Sequence, residues 1–159
     1  MKEGDMKAGI MRFGVPALLI VAAGLFASLV TAATTDIKSP IGPDKVVYHI
    51  SNTEQQTKLA LEYIRNHLEV NPKAHIVVVT HALGVDFLRE GARDKNGNPY
   101  NVPVEELDFR GVRFLVCGIT LRERKMKKSE FIPEAHFVPS GVAEITRLQQ
   151  REGYAYLKP

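Results

Sequence analysis

The chain predicts a single doubly wound α/β domain on three observations. Segments rich in β-branched residues alternate with segments of helical periodicity from Lys45 to the last residue, Pro159. The central apolar run, His75-Ile76-Val77-Val78-Val79-Thr80, is continuous rather than alternating, as in a strand covered on both faces of a parallel sheet. Turn and cap signals such as Asn71-Pro72 and Pro139-Ser140-Gly141 fall between the periodic segments. Strand and helix alternate up to a fifth strand, which gives a mainly parallel five-stranded sheet. Right-handed crossovers then put helices on both faces.

Each element has its own signal. Lys45-Val46-Val47-Tyr48-His49-Ile50 reads as the first strand. Ser51-Asn52-Thr53 supplies helix-start chemistry, with Ser51…Glu54 and Thr53…Gln56 both at capping-box spacing. The following helix carries Ala60, Leu61, Ile64 and Leu68 on one stripe and ends at Asn71-Pro72. After the second strand, His75 to Thr80, a short helix is expected around Val85 to Glu90. An exposed turn comes next at Asp94 to Pro99. Pro103 suits the first turn of the next helix and Gly111 the position past its end. Arg113 to Val116 is the third strand, and Ile119 to Glu130 reads as a very polar helix. Ala135 to Val138 is the fourth strand. Pro139-Ser140-Gly141 opens a helix with Val142, Ile145 and Leu148 on one face, and Tyr154 to Leu157 closes the sheet.

Residues 1–32 have the three-part layout of a secretory signal: a weakly positive start, an uncharged run from Gly14 to Val30, and small residues ending Val30-Thr31-Ala32. The alternative is an uncleaved anchor, since the run is at the short edge of the roughly 17–25 residues that span a bilayer. The expected location is periplasmic or secreted, with membrane contact only through this segment. Residues 33–44 read as a flexible leader and residues 45–159 as the domain. The formal charge of +3 is modest, and no aromatic-and-basic pattern of a nucleic-acid module is present. Nucleotide loops and serine-hydrolase elbows are missing too, so nucleic-acid binding, nucleotide chemistry and serine hydrolysis are disfavoured, and no cofactor is expected.

Cys117 is the only cysteine. Exported proteins usually pair their cysteines, and a lone one cannot staple its own chain. It is a small core residue, an intermolecular bridge or a working thiol. It ends the third strand, with Gly118 allowing close backbone approach and Thr120 able to cap the next helix. His49 lies near the end of strand one and His81 just after strand two. If strand one lies between strands two and three, all three residues share the carboxyl edge where such sheets bind ligands. Arg122, Arg124, Lys125, Lys127 and Lys128 crowd the segment after the cysteine. They form either a solvated helix face or a lure for an anionic sulfur compound or an acidic partner. Imidazole and thiolate also suit copper or zinc, but the spacing is not a local metal motif, and no metal ligand is assigned. Asn52 and Asp86 are the available orienting partners for a Cys-His hydrolase.

Taken in order, five segments resemble the DsrE/DsrF-like family of sulfur-relay proteins, in particular its small exported members. They are Lys45-Val46-Val47-Tyr48-His49-Ile50, Ile76-Val77-Val78-Val79-Thr80-His81, Gly111-Val112-Arg113-Phe114-Leu115-Val116-Cys117, Val138-Pro139-Ser140-Gly141-Val142 and Gly153-Tyr154-Ala155-Tyr156-Leu157-Lys158-Pro159. The resemblance implies a flavodoxin-like fold, assembly into trimers or hexamers, and a persulfide on Cys117. Gly118, Thr120, His49 and His81 would line the ligand site. Sulfur would come from a donor and pass to an acceptor, each a protein or a small sulfur compound. Where many relatives have Asn-Thr after the cysteine, this chain has Ile119-Thr120. The alternative function is an oligomeric small-ligand or metal-binding protein without turnover.

Overall fold

The structure, a computed structural model, describes residues 43–159. The predicted signal segment and all but the last two residues of the predicted leader lie outside the described residues. The elements are β1 (Lys45–Asn52), α1 (Thr53–Val70), β2 (His75–Leu83), α2 (Asn101–Phe109), β3 (Arg113–Cys117), α3 (Gly118–Glu123), β4 (Ala135–Val138), α4 (Gly141–Glu152) and β5 (Ala155–Leu157). All strand pairs are parallel, in the order β4-β3-β2-β1-β5.

Alternation along the strands divides the core. Val46, Tyr48, Ile50, Ile76, Val78, Phe114 and Val116 face one way, into the larger cluster that Ile64 and Leu68 of α1 and Val104 and Leu107 of α2 complete. Val47, Val77, Val79 and Leu115 face the other way, under Ile145 and Leu148 of α4. Leu121 of α3 belongs to the first cluster. Thus β1, β2 and β3 lead to helices on one face, and β4 leads to α4 on the other.

Several local expectations are corrected. Asn52, not Ser51 or Thr53, caps α1: its side chain accepts from the Gln55 amide at 3.1 Å. The Gln56 carbonyl oxygen instead accepts from the amides of Ser51 and Asn52. The helix expected at Val85 to Glu90 is one short 3₁₀ turn, Asp86–Leu88. The polar helix expected up to Glu130 ends at Glu123. No apolar stripe continues beyond Leu121 to hold it. The chain instead closes with Lys125 in the left-handed region at φ 54, and the Met126 amide donates to the Leu121 carbonyl. Val142 is exposed rather than part of the buried face of α4. That helix starts at Ser140, whose hydroxyl accepts from the Ala143 amide, and stops at left-handed Gly153.

Candidate functional site

β2, not β1, lies in the centre of the three strands that carry the candidate residues, which corrects the strand order assumed from the sequence. The residues still converge, because of parity. His49 continues the side of Val47, His81 that of Val77 and Val79, and Cys117 that of Leu115, so all three belong to the α4 face at the carboxyl edge. Register brings Cys117 and His81 side by side as well: Thr80 pairs with Val116, and each candidate is the next residue along its strand.

The histidines form one cluster. His49 Nε2 and His81 Nε2 are 2.6 Å apart, so one of them carries the shared hydrogen. The rings stack at 4.7 Å between centroids. On its other side His49 Nδ1 meets the Tyr156 hydroxyl of β5 at 2.6 Å. Burial, then the neighbouring His81, then Lys158, hold His49 down to about 4, and burial and Lys158 lower His81 also.

The effect on stability has a measurable sign. Unfolded, His49 takes up a proton near its ordinary 6.5; folded, it resists until about 4. Its neutral state therefore contributes fully above about pH 6.5, and the contribution is lost as pH falls from there to about 4. Solvent screening of this half-exposed pair limits the loss to about 1–2 kcal/mol. His49→Gln should flatten that part of the stability–pH curve, as read by urea unfolding at a series of pH values. An unchanged slope would rule the pair out as its source.

Cys117 forms the second cluster. It is 5% exposed. Burial pushes the thiol up, but the backbone amides of Gly141, Thr120 and Ile119 and the Thr120 hydroxyl donate to the sulfur and bring it, on balance, below its ordinary value. Two of these amides open α3 and one opens α4. Gly141 makes the approach possible, since a Cβ there would stand 3.2 Å from Cys117 Cβ and 3.3 Å from the Thr80 carbonyl oxygen. At Gly118 a Cβ would stand 3.0 Å from the Val138 carbonyl oxygen.

A backbone link joins the clusters. Ala82 follows His81 and has φ 50, a strained value for a residue with a Cβ. Its amide donates to Thr120 Oγ1 at 2.9 Å, and its carbonyl accepts from Arg124 at 3.0 Å. The Thr120 hydroxyl thus touches both the thiol and the residue after the histidine. Neither predicted orienting partner serves the thiol. Asn52 caps α1, and Asp86 pairs with Arg124 at 2.9 Å. Among the described residues no group of three or more His, Cys, Asp or Glu is arranged to hold a metal ion. His136 is exposed, two residues back along β4 from Val138, the register partner of Cys117.

The profile of the DsrE/DsrF-like family matches residues 44–159. The chain belongs to the DsrE/DsrF-like family. Membership points to sulfur relay in general. Two solved structures resemble this family member. One is the protein of unknown function MTH1491 from Methanobacterium thermoautotrophicum, with 34% identity and a TM-score of 0.65, covering 73% of this chain and 99% of that one. The other is the ychN protein from E. coli, with 13% identity and a TM-score of 0.59 over the same shares, a likeness of fold alone. No curated protein matches the sequence. The doubly wound, flavodoxin-like α/β fold expected of the family is the one observed.

Sequence reasoning missed Gly141, Tyr156 and Ala82 as site residues. Pro139-Ser140-Gly141 was legible as a helix start, but only the strand order aims that start at the sulfur. Nothing in the sequence marks Ala82.

Proposed function

We propose that this member of the family is an exported sulfur carrier that holds sulfane sulfur as a persulfide on Cys117. The observation that supports it is the set of three amides and one hydroxyl donating to a single sulfur. The thiolate is the nucleophile, and it attacks the outer sulfur of a donor R–S–SH. The Sγ–S bond forms, the donor S–S bond breaks, and RS⁻ leaves with the electron pair; the proton stays on the transferred sulfur. In the second half an acceptor thiolate takes that sulfur and Cys117 leaves as thiolate. The same donors stabilise it as nucleophile and as leaving group. With no second cysteine in the chain, no internal disulfide competes. His49 and His81 line the edge beside the thiol.

The N-terminal segment supports a periplasmic or secreted location. Exposed Leu83, Tyr156 and Leu157, together with the short edge strand β5, support a homo-oligomer, with trimer or hexamer as the expected forms. Among the described residues no helix is long and apolar enough to cross a membrane.

The test is intact-mass measurement of the mature protein after incubation with polysulfide or thiosulfate. Wild type should gain one sulfur atom, and Cys117→Ser should gain none. A wild type that stays unmodified with every donor, its Cys117 inert to alkylation in the folded state, would overturn the carrier and leave a binding protein.

A further inference from the structure

Five cations crowd residues 122–128, just after Cys117, and the structure separates them. Arg124 is occupied by the Ala82 carbonyl and the Asp86 carboxylate. Arg122, Lys125 and Lys128 instead line a groove of about 490 Å³, and among the described residues none of the three has a carboxylate partner. The left-handed turn at Lys125 ends α3 and brings Lys128 back to the groove that Arg122 lines. Lys128 lies over the Phe137 ring at 5.0 Å, and Leu121 and Met126 add further apolar wall. No acidic residue lines the groove.

The position is as informative as the charge. In an open parallel sheet, ligands bind beyond the carboxyl ends of the strands where successive connections part to opposite faces. Here the connections part between β3, which leads to α3 on the face of α1 and α2, and its neighbour β4, which leads to α4 on the other. The groove opens between those two strand ends, and Gly118, Val138 and Pro139 line it. Gly118 follows Cys117 in the chain, so the groove adjoins the end of the strand that carries the thiol, although Cys117 itself does not line it.

We propose that this groove binds the anionic body of a low-molecular-mass organic thiol or persulfide carrying carboxylate or phosphate groups, and so selects the compound that exchanges sulfur with Cys117. The size lies within the range of small-molecule sites, about 300–1,000 Å³. Cys117 is 5% exposed, which suits a slim R–S–SH end better than a cysteine on a folded partner surface. The choice of substrate rests on the carrier reading, but binding in the groove is measurable without any sulfur transfer.

The probe is 2-(methylthio)succinate, a dianionic thioether that cannot donate sulfur, with its uncharged dimethyl ester as control. Titration of the wild-type protein, followed by NMR shifts, should show saturable binding of the dianion, centred on Arg122, Lys125 and Phe137, and none of the ester. The Arg122→Ala/Lys125→Ala variant should bind about tenfold more weakly or worse, as expected for loss of charge-assisted contacts. Lys95→Ala/Lys73→Ala, which removes cations elsewhere, should bind as wild type. Equal binding of dianion and ester, or unchanged binding in the Arg122/Lys125 variant, would overturn the proposal. So would binding of an Asp-rich peptide by the same two residues with no binding of the thioether, which would make the groove a site for a protein tail. If the thioether binds but Cys117 never gains sulfur, the groove stands and the carrier reading fails.

Discussion

Gly141→Ala should raise the Cys117 pKa and slow alkylation of the thiol at neutral pH about five- to tenfold. The added Cβ would meet Cys117 Cβ at 3.2 Å, the Thr80 carbonyl oxygen at 3.3 Å and Val79 Cγ1 at 3.4 Å. The carbonyl is backbone in the central strand and does not yield, so the first turn of α4 moves outward. That movement lengthens the Gly141 N–H···Sγ bond, while burial, which pushes the thiol up, remains. A hydrogen bond to a charged group is worth about 1.5–3 kcal/mol, and a pKa unit about 1.4. The measurement is the pH dependence of iodoacetamide alkylation, with thermal unfolding as the check that the fold survives. A thiol pKa unmoved in a folded variant would remove α4 from the site.

Gly84→Ala should cost about 3 kcal/mol of stability or more and lower Tm by about 10 °C or more. Gly84 follows β2 and lies against the end of β1, where the pairing register shifts between Ile50 and Asn52. A Cβ would fall 2.2 Å from the Ile50 carbonyl oxygen, 2.5 Å from its carbon and 2.8 Å from Ser51 Cα. All three are backbone atoms, so no side-chain rotation relieves the clash. The ends of β1 and β2 must part, and the His49–His81 contact spans those two strands. Chemical denaturation reads the cost. A loss below about 1 kcal/mol would mean that the strand ends yield more than a paired sheet allows.

The sequence carried the elements better than their arrangement. A β-branched and aromatic run marks β1 and a continuous β-branched run marks β2, and these two strands were legible for that reason. Strand order is set by which helix covers which face, and no local signal carries it. β2 was therefore not foreseen between β1 and β3, although parity still brought His49, His81 and Cys117 to one face. The thiol at the end of β3 was readable, as was the helix start at Ser140. That the two meet was not, because they are linked only through the β3–β4 pairing. The length of α3 was misread because charged residues with good helix propensity continue past Leu121, where packing stops. Tertiary closure at Lys125 outweighs propensity there. That turn is also what separates Lys125 and Lys128 from a plain solvated helix face.

The partner of β1 on its outer side is β5, with Val46 opposite Ala155 and Tyr48 opposite Leu157. The first strand therefore waits for the last. As the chain emerges where it folds, the β1–β2–β3 ladder can assemble, but one flank of β1 stays an open row of amides and carbonyls until residues 155–157 have arrived. Closing a loop that long is slow, and an open strand edge is a template for pairing with other chains. A chain truncated within α4 would hold β1 to β4 with the outer edge of β1 bare. Such fragments should aggregate, and the full-length chain is most exposed to chaperones and proteases in the interval before its final strand docks.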